Sequence, residues 1–153
     1  MKKASIVSSF VFAALIAFIS VAIAQKAEKG WKNIVTLPSG EVILDMTGEW
    51  DQVDEGYGIF SWLEGSPEIL TITQEGNRFT AVKQIGSKWV PKGAETIKGE
   101  LDKHGFKVIY SYIASEAMDG SFDWEECKWE ISEKGNKVDL DCGERIKITF
   151  TRR

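Results

Sequence analysis

The sequence predicts an all-β protein: an antiparallel, up-and-down (meander) β-barrel of about eight to ten strands behind an N-terminal signal helix. Three observations carry this expectation. Polar turns recur at short intervals, as at Pro38-Ser39-Gly40-Glu41, Gly65-Ser66-Pro67-Glu68, Gln74-Glu75-Gly76-Asn77, Asp102-Lys103-His104-Gly105 and Glu133-Lys134-Gly135-Asn136. The segments between them are β-branched or aromatic and alternate in polarity, as half-buried strands do. No stretch after Ala24 keeps a long 3.6-residue apolar period; the best helical candidate is the short run Ile113–Met118.

Residues 1–24 read as a signal peptide. Lys2 and Lys3 form a basic start, an apolar run extends from Ile6 to Ile23, and Ala22-Ile23-Ala24 supplies the small-x-small cleavage pattern. An uncleaved membrane anchor is the alternative, since the run approaches membrane-spanning length. Cleavage after Ala24 leaves 129 of the 153 residues, enough for one domain. The expected organisation is a polar N-terminal arm over 25–31 and a single β-barrel domain over 32–153, periplasmic or secreted, with no membrane contact once the leader is removed. Losing the two leader lysines takes the net charge from −4 to −6. An acidic domain with scattered charge is poorly suited to phosphate backbones, so nucleic acid is not an expected partner.

The first hairpin is expected to set Val35 and Leu37 against Leu44 and Val42. A second sets Leu70 and Ile72 against Ala81 and Phe79, and a third sets Ile97, Gly99 and Leu101 against Tyr110, Val108 and Phe106. The third places Tyr110 on the inner face, and Tyr112 continues it. The segments Ile72–Phe79 and Ile131–Val138 look alike, each turning through Gly-Asn, which suggests one hairpin type used twice.

The last hairpin carries the most information. With Lys134-Gly135 at its tip, Ile131 faces Val138, Trp129 faces Leu140 and Cys127 faces Cys142. All six lie on one side, while Lys128, Glu130, Lys137, Asp139 and Asp141 lie on the other. One register thus separates apolar from charged residues and sets two thiols opposite each other. In an exported chain that reads as a disulfide; a metal site would need further ligands, and the only histidine, His104, is in a distant turn. The final strand places Ile146, Ile148, Phe150 and Arg152 on one face.

Gly48-Glu49-Trp50 is a Gly-x-Trp motif on an early strand. With a secretory leader, a β meander and one disulfide, the chain resembles the lipocalin/calycin barrels, and more closely small lipocalin-like bacterial exported proteins, over roughly Val42 to Arg153. The resemblance implies that Trp50 closes one barrel end against a basic side chain of the last strand, for which Arg152 is the candidate. The chain is shorter than typical lipocalins, has no long C-terminal helix, and staples one hairpin with its disulfide.

Little points to catalysis. A lone turn histidine is usually solvated, no serine has a nucleophile-elbow context, and there is no phosphate loop, zinc spacing or other cofactor fingerprint. Two acidic stretches, Asp51–Glu55 and Asp119–Glu126, read as loops without EF-hand spacing. The aromatic residues suggest binding instead: Tyr57, Trp62, Trp89, Tyr110, Tyr112 and Trp124 are candidate ligand-binding residues, with plugging of the barrel as the alternative. The expectation is a non-enzymatic, cofactor-free and metal-free binding protein for a small apolar or amphipathic ligand. The alternative is a protein-interaction module, such as a protease inhibitor of the cell envelope.

Overall fold

A computed structural model describes residues 30–56, 68–86, 90–115 and 121–153. The leader and the candidate ligand residues Tyr57, Trp62 and Trp89 lie outside them. The described chain is all-β, with strands β1 (Ile34–Thr36), β2 (Val42–Leu44), β3 (Gly48–Gly56), β4 (Glu68–Glu75), β5 (Arg78–Lys83), β6 (Glu95–Asp102), β7 (Gly105–Ala114), β8 (Phe122–Glu126), β9 (Lys128–Ser132), β10 (Lys137–Asp141) and β11 (Ile146–Arg152). Nine of them form one antiparallel sheet in the order β8-β7-β6-β5-β4-β3-β11-β10-β9, which curls into a nearly closed barrel.

Closure happens at Cys127. The strand that pairs with β7 as β8 continues beyond this residue as β9 and pairs with β10. The Cys127 amide donates to the Ile109 carbonyl at 3.0 Å, and that of Cys142 to Ile146 at 3.0 Å. Neither cysteine therefore spends its amide on the other. This leaves the pair in the close, non-hydrogen-bonded geometry of an antiparallel ladder, with Cα atoms 4.3 Å apart, and the disulfide is formed. Along the remaining seam side chains make the contact: the rings of Phe106 (β7) and Trp129 (β9) meet edge-on at 5.6 Å.

Strands β1 and β2 do not join this sheet; they form a separate hairpin in which Ile34, Val35 and Thr36 pair with Leu44, Ile43 and Val42. The register differs by one residue from that expected, because the turn spans Leu37 to Glu41, closed by the amide of Leu37 on the Glu41 carbonyl at 2.8 Å. The hairpin and its exit cap one end of the barrel. Lys32 donates to the Lys134 carbonyl, Met46 to the Gln74 side chain, and Lys103 to the Glu41 carboxylate, so three separate turns are tied to it. Ile43, Leu44 and Met46 are fully buried beneath it.

The strand alternation holds as expected on β11, where Ile146, Ile148 and Phe150 are buried, and on β10, where Val138 and Leu140 pair with Ile131 and Trp129. Elsewhere it shifts. The Gly76-Asn77 turn has only two residues, so Ile72 faces Ala81 and Leu70 faces Lys83. That slip of two keeps every residue on its expected face. Its look-alike closes differently: Ser132 pairs with Lys137 across four residues, with Glu133, Lys134 and Gly135 at positive φ. The two segments are therefore not copies of one hairpin. Ile113 and Ala114, expected to open a helix, finish β7.

Candidate functional site

Tyr110 and Tyr112 are the main correction. Leu101 pairs with Phe106, but Glu100 pairs with Val108, so a bulge on β7 takes up Lys107. One extra residue reverses the parity of everything beyond it. Ile109, Ser111 and Ile113 therefore point inward, 0%, 2% and 5% exposed, and Tyr110 and Tyr112 lie on the outer face. Trp124, expected in a loop, lies on β8 directly opposite Tyr112. There Tyr112 stacks on Phe122 and packs against Trp124, both at 5.2 Å, with the Lys98 ammonium 3.8 Å from the centre of the Trp124 ring. This is a half-buried aromatic patch on the barrel wall, not the lining of its interior.

Trp50 and Arg152 lie together at the capped end. They are register partners on β3 and β11. The guanidinium carbon sits 4.5 Å from the indole centroid, and the guanidinium donates to the carbonyls of Thr47, at 2.6 Å, and Asp45. The indole nitrogen donates to the Met46 carbonyl at 2.9 Å, and Phe150 meets the ring edge-on at 5.6 Å. Burial pushes the Arg152 pKa down, and the Asp45 carboxylate opposes this. With Phe79, Phe106, Leu70, Ile72 and Leu101, these residues fill the capped half of the barrel.

The far half is different in kind. The acidic stretch Asp51–Glu55 is strand, not loop, and alternation from buried Trp50 turns Gln52 and Asp54 inward. The same rule brings Glu68 inward on β4, ahead of Leu70 and Ile72, and Lys83 inward on β5, beyond Phe79 and Ala81. Gln52 and Glu68 are register partners, and the Lys83 ammonium, 6% exposed, forms an ion pair with Glu68. Gln52 donates its amide to Asp54 at 2.7 Å. Across the barrel Ser111 is buried, and Glu125 of β8 pairs with Arg145, which also donates to the Ala114 carbonyl at 3.4 Å.

Two polar atoms here lack partners. The side-chain oxygens of Gln52, 6% exposed, and of Thr96, 7% exposed, accept and donate no hydrogen bond. Thr96 is the extra residue where Ala81 pairs with Ile97 but Val82 with Glu95. An unpaired buried polar atom costs about 1–3 kcal/mol, so each is available to a water molecule or to a polar group of a ligand. Burial, with the nearby Glu68 charge adding to it, lifts the Asp54 pKa from 3.8 to about 6 against the opposing Gln52 hydrogen bond and Lys83.

The outer wall over β3, β11, β10 and β9 carries a shallow groove of about 540 Å³, with Lys128 and Lys147 among Glu55, Glu130 and Asp141. Asp139, also lining it, accepts from Thr149 at 2.6 Å and pairs with Lys137 at 3.0 Å. Partial burial pushes its pKa up, but the Thr149 and Lys137 hydrogen bonds and the Lys137 charge outweigh this and lower it. Two lysines interspersed among four carboxylates give this groove no clear ligand preference. Among the described residues no group of three or more His, Cys, Asp or Glu side chains is placed to hold a metal ion.

The inward cluster of Gln52, Asp54, Glu68 and Lys83 was legible only as a pattern: polar residues on the inner face of strands whose other half is core. Comparison with known protein families, curated proteins and solved structures finds no match for the chain. Its residues therefore carry the functional argument, on a nearly closed antiparallel barrel.

Proposed function

We propose that this chain is an exported, non-enzymatic binding protein, which holds a small, partly apolar ligand in the far half of its barrel. The observation that carries the reading is the buried, unpartnered oxygen of Gln52, inside the barrel and beside Asp54. The core cluster fills the capped half and reaches Ile146 and Ile148 of the far half, which gives the polar groups there apolar neighbours. An apolar body would rest on this packed floor, and a polar head would meet Gln52 and its neighbours. The leader pattern and the disulfide support export.

Titration of the mature protein with fatty acids, aromatic amphiphiles and aliphatic amines, followed by tryptophan fluorescence and calorimetry, tests this. Saturable binding by one class is expected, and Gln52→Leu should weaken it. A panel that leaves fluorescence, heat and melting temperature unchanged would overturn the reading.

A protein-contact module is the second reading, and the outer patch of Tyr112, Phe122 and Trp124 favours it, since aromatic residues are enriched in protein interfaces. Affinity capture from the exporting cell with wild-type protein and Trp124→Ser separates the two. A partner lost in the variant supports this reading, and equal capture by both proteins counts against it.

A further inference from the structure

We infer that the ligand's polar head is a protonated amine, bound between the Asp54 carboxylate and the unpartnered oxygen of Gln52. The inference rests on the binding reading above and narrows the class of ligand.

Charge and hydrogen-bonding capacity both point this way. Three ionisable groups share the inner face of β3, β4 and β5: Asp54, Glu68 and Lys83. The one ammonium is held by Glu68. Asp54 is left with a single neutral donor, the Gln52 amide. An ionised cluster therefore carries one uncompensated negative charge, on a half-buried carboxylate beside the buried Gln52. A carboxylate head would add to that charge. A hydroxyl head would satisfy one acceptor and leave the charge in place.

An alkylammonium group offers three donors and one positive charge. One donor serves Asp54, and a second serves the Gln52 oxygen, which lies on the amide already bonded to Asp54. This would remove the missing hydrogen bond and the missing counter-charge together. Buried charge pairs of this kind separate cationic from neutral ligands by well over the strength of a surface contact.

The same arrangement makes binding depend on pH. The charged groups facing Asp54 are Glu68 from β4 and Lys83 from β5. On its other side β11 presents the apolar Ile148 as its register partner. The carboxyl ionises near pH 6 without ligand, and a bound ammonium would draw that value down. Amine affinity should thus fall as acidity increases through about pH 6, where Asp54 takes up a proton.

The test uses three ligands with one body: hexylamine, hexanol and hexanoate, titrated calorimetrically into the full mature protein at about pH 7.5 and about pH 5. Hexylamine should bind about tenfold or more tighter than hexanol at the higher pH, hexanoate should be the weakest, and the preference should shrink at the lower pH. Asp54→Asn should erase the preference for hexylamine over hexanol. If that variant does not fold, the wild-type pH profile decides alone.

Equal binding of all three, or a lead for hexanoate, overturns the amine inference and leaves the binding reading standing. A preference that survives in Asp54→Asn, or that does not change with pH, overturns the assignment to Asp54. No binding by any of the three up to about 10 mM overturns both.

Discussion

Arg152 lies over the face of Trp50, its guanidinium carbon 4.5 Å from the ring centroid, while its nitrogens donate to the carbonyls of Thr47 and Asp45. The last strand thereby fastens both the first barrel strand and the chain that leads into it from the cap. Replacing Arg152 with Met keeps most of the apolar stem but removes both donors and the cation. We expect a loss of about 2–3 kcal/mol in urea denaturation, with Arg152→Lys intermediate because an ammonium cannot span both carbonyls as a planar fork does.

The Cys127–Cys142 bridge spans 15 residues at the point where the strand changes partners. The double Cys→Ala variant should lose about 3 kcal/mol in chemical denaturation. Mass analysis of the exported protein should show the chain lighter by two hydrogens under non-reducing conditions. Free thiols would contradict the pairing.

Gly105 opens β7 at φ +127°, and a methyl group there would lie 2.7 Å from the Trp129 ring and 3.0 Å from Ile131. Gly105→Ala therefore meets backbone strain and a collision at the closing seam together. A loss of about 2–4 kcal/mol is expected by thermal and urea unfolding, and Trp129→Leu in the same chain should recover part of it.

The raised pKa of Asp54 has a consequence for stability. Its folded value of about 6 lies above the ordinary 3.8, so the ionised form is disfavoured in the folded state. The resulting destabilisation is absent below the ordinary value, grows as pH rises, and is complete above the folded value. It amounts to about 3 kcal/mol at neutral pH. Asp54→Asn should be more stable than wild type at pH 7 by an amount of this order. The two should converge toward pH 4, as read from denaturation midpoints.

Tyr112, on the outer wall, should contribute to stability and not to ligand binding. Tyr112→Ala breaks its stack with Phe122 and its contact with Trp124, at about 1 kcal/mol, and should leave the affinity of an interior ligand unchanged. A large loss of affinity would return the tyrosine to the site.

Alternation within a single hairpin can be read directly from the residues. Cys127 and Cys142 face each other because an even count along two pleated strands puts them there, and Ile146, Ile148, Phe150 and Arg152 share a face for the same reason. Relations between hairpins came from the folded barrel. A bulge that takes up Lys107 turns Tyr110 and Tyr112 outward, and no local composition marks it, because it is set by how β6 and β7 bend to close the barrel. The gathering of Gln52, Asp54, Glu68 and Lys83 depends on which strands become neighbours and which end the β1–β2 hairpin covers. Those relations join residues far apart along the chain, so side-chain parity can place each of them inside but cannot bring them together.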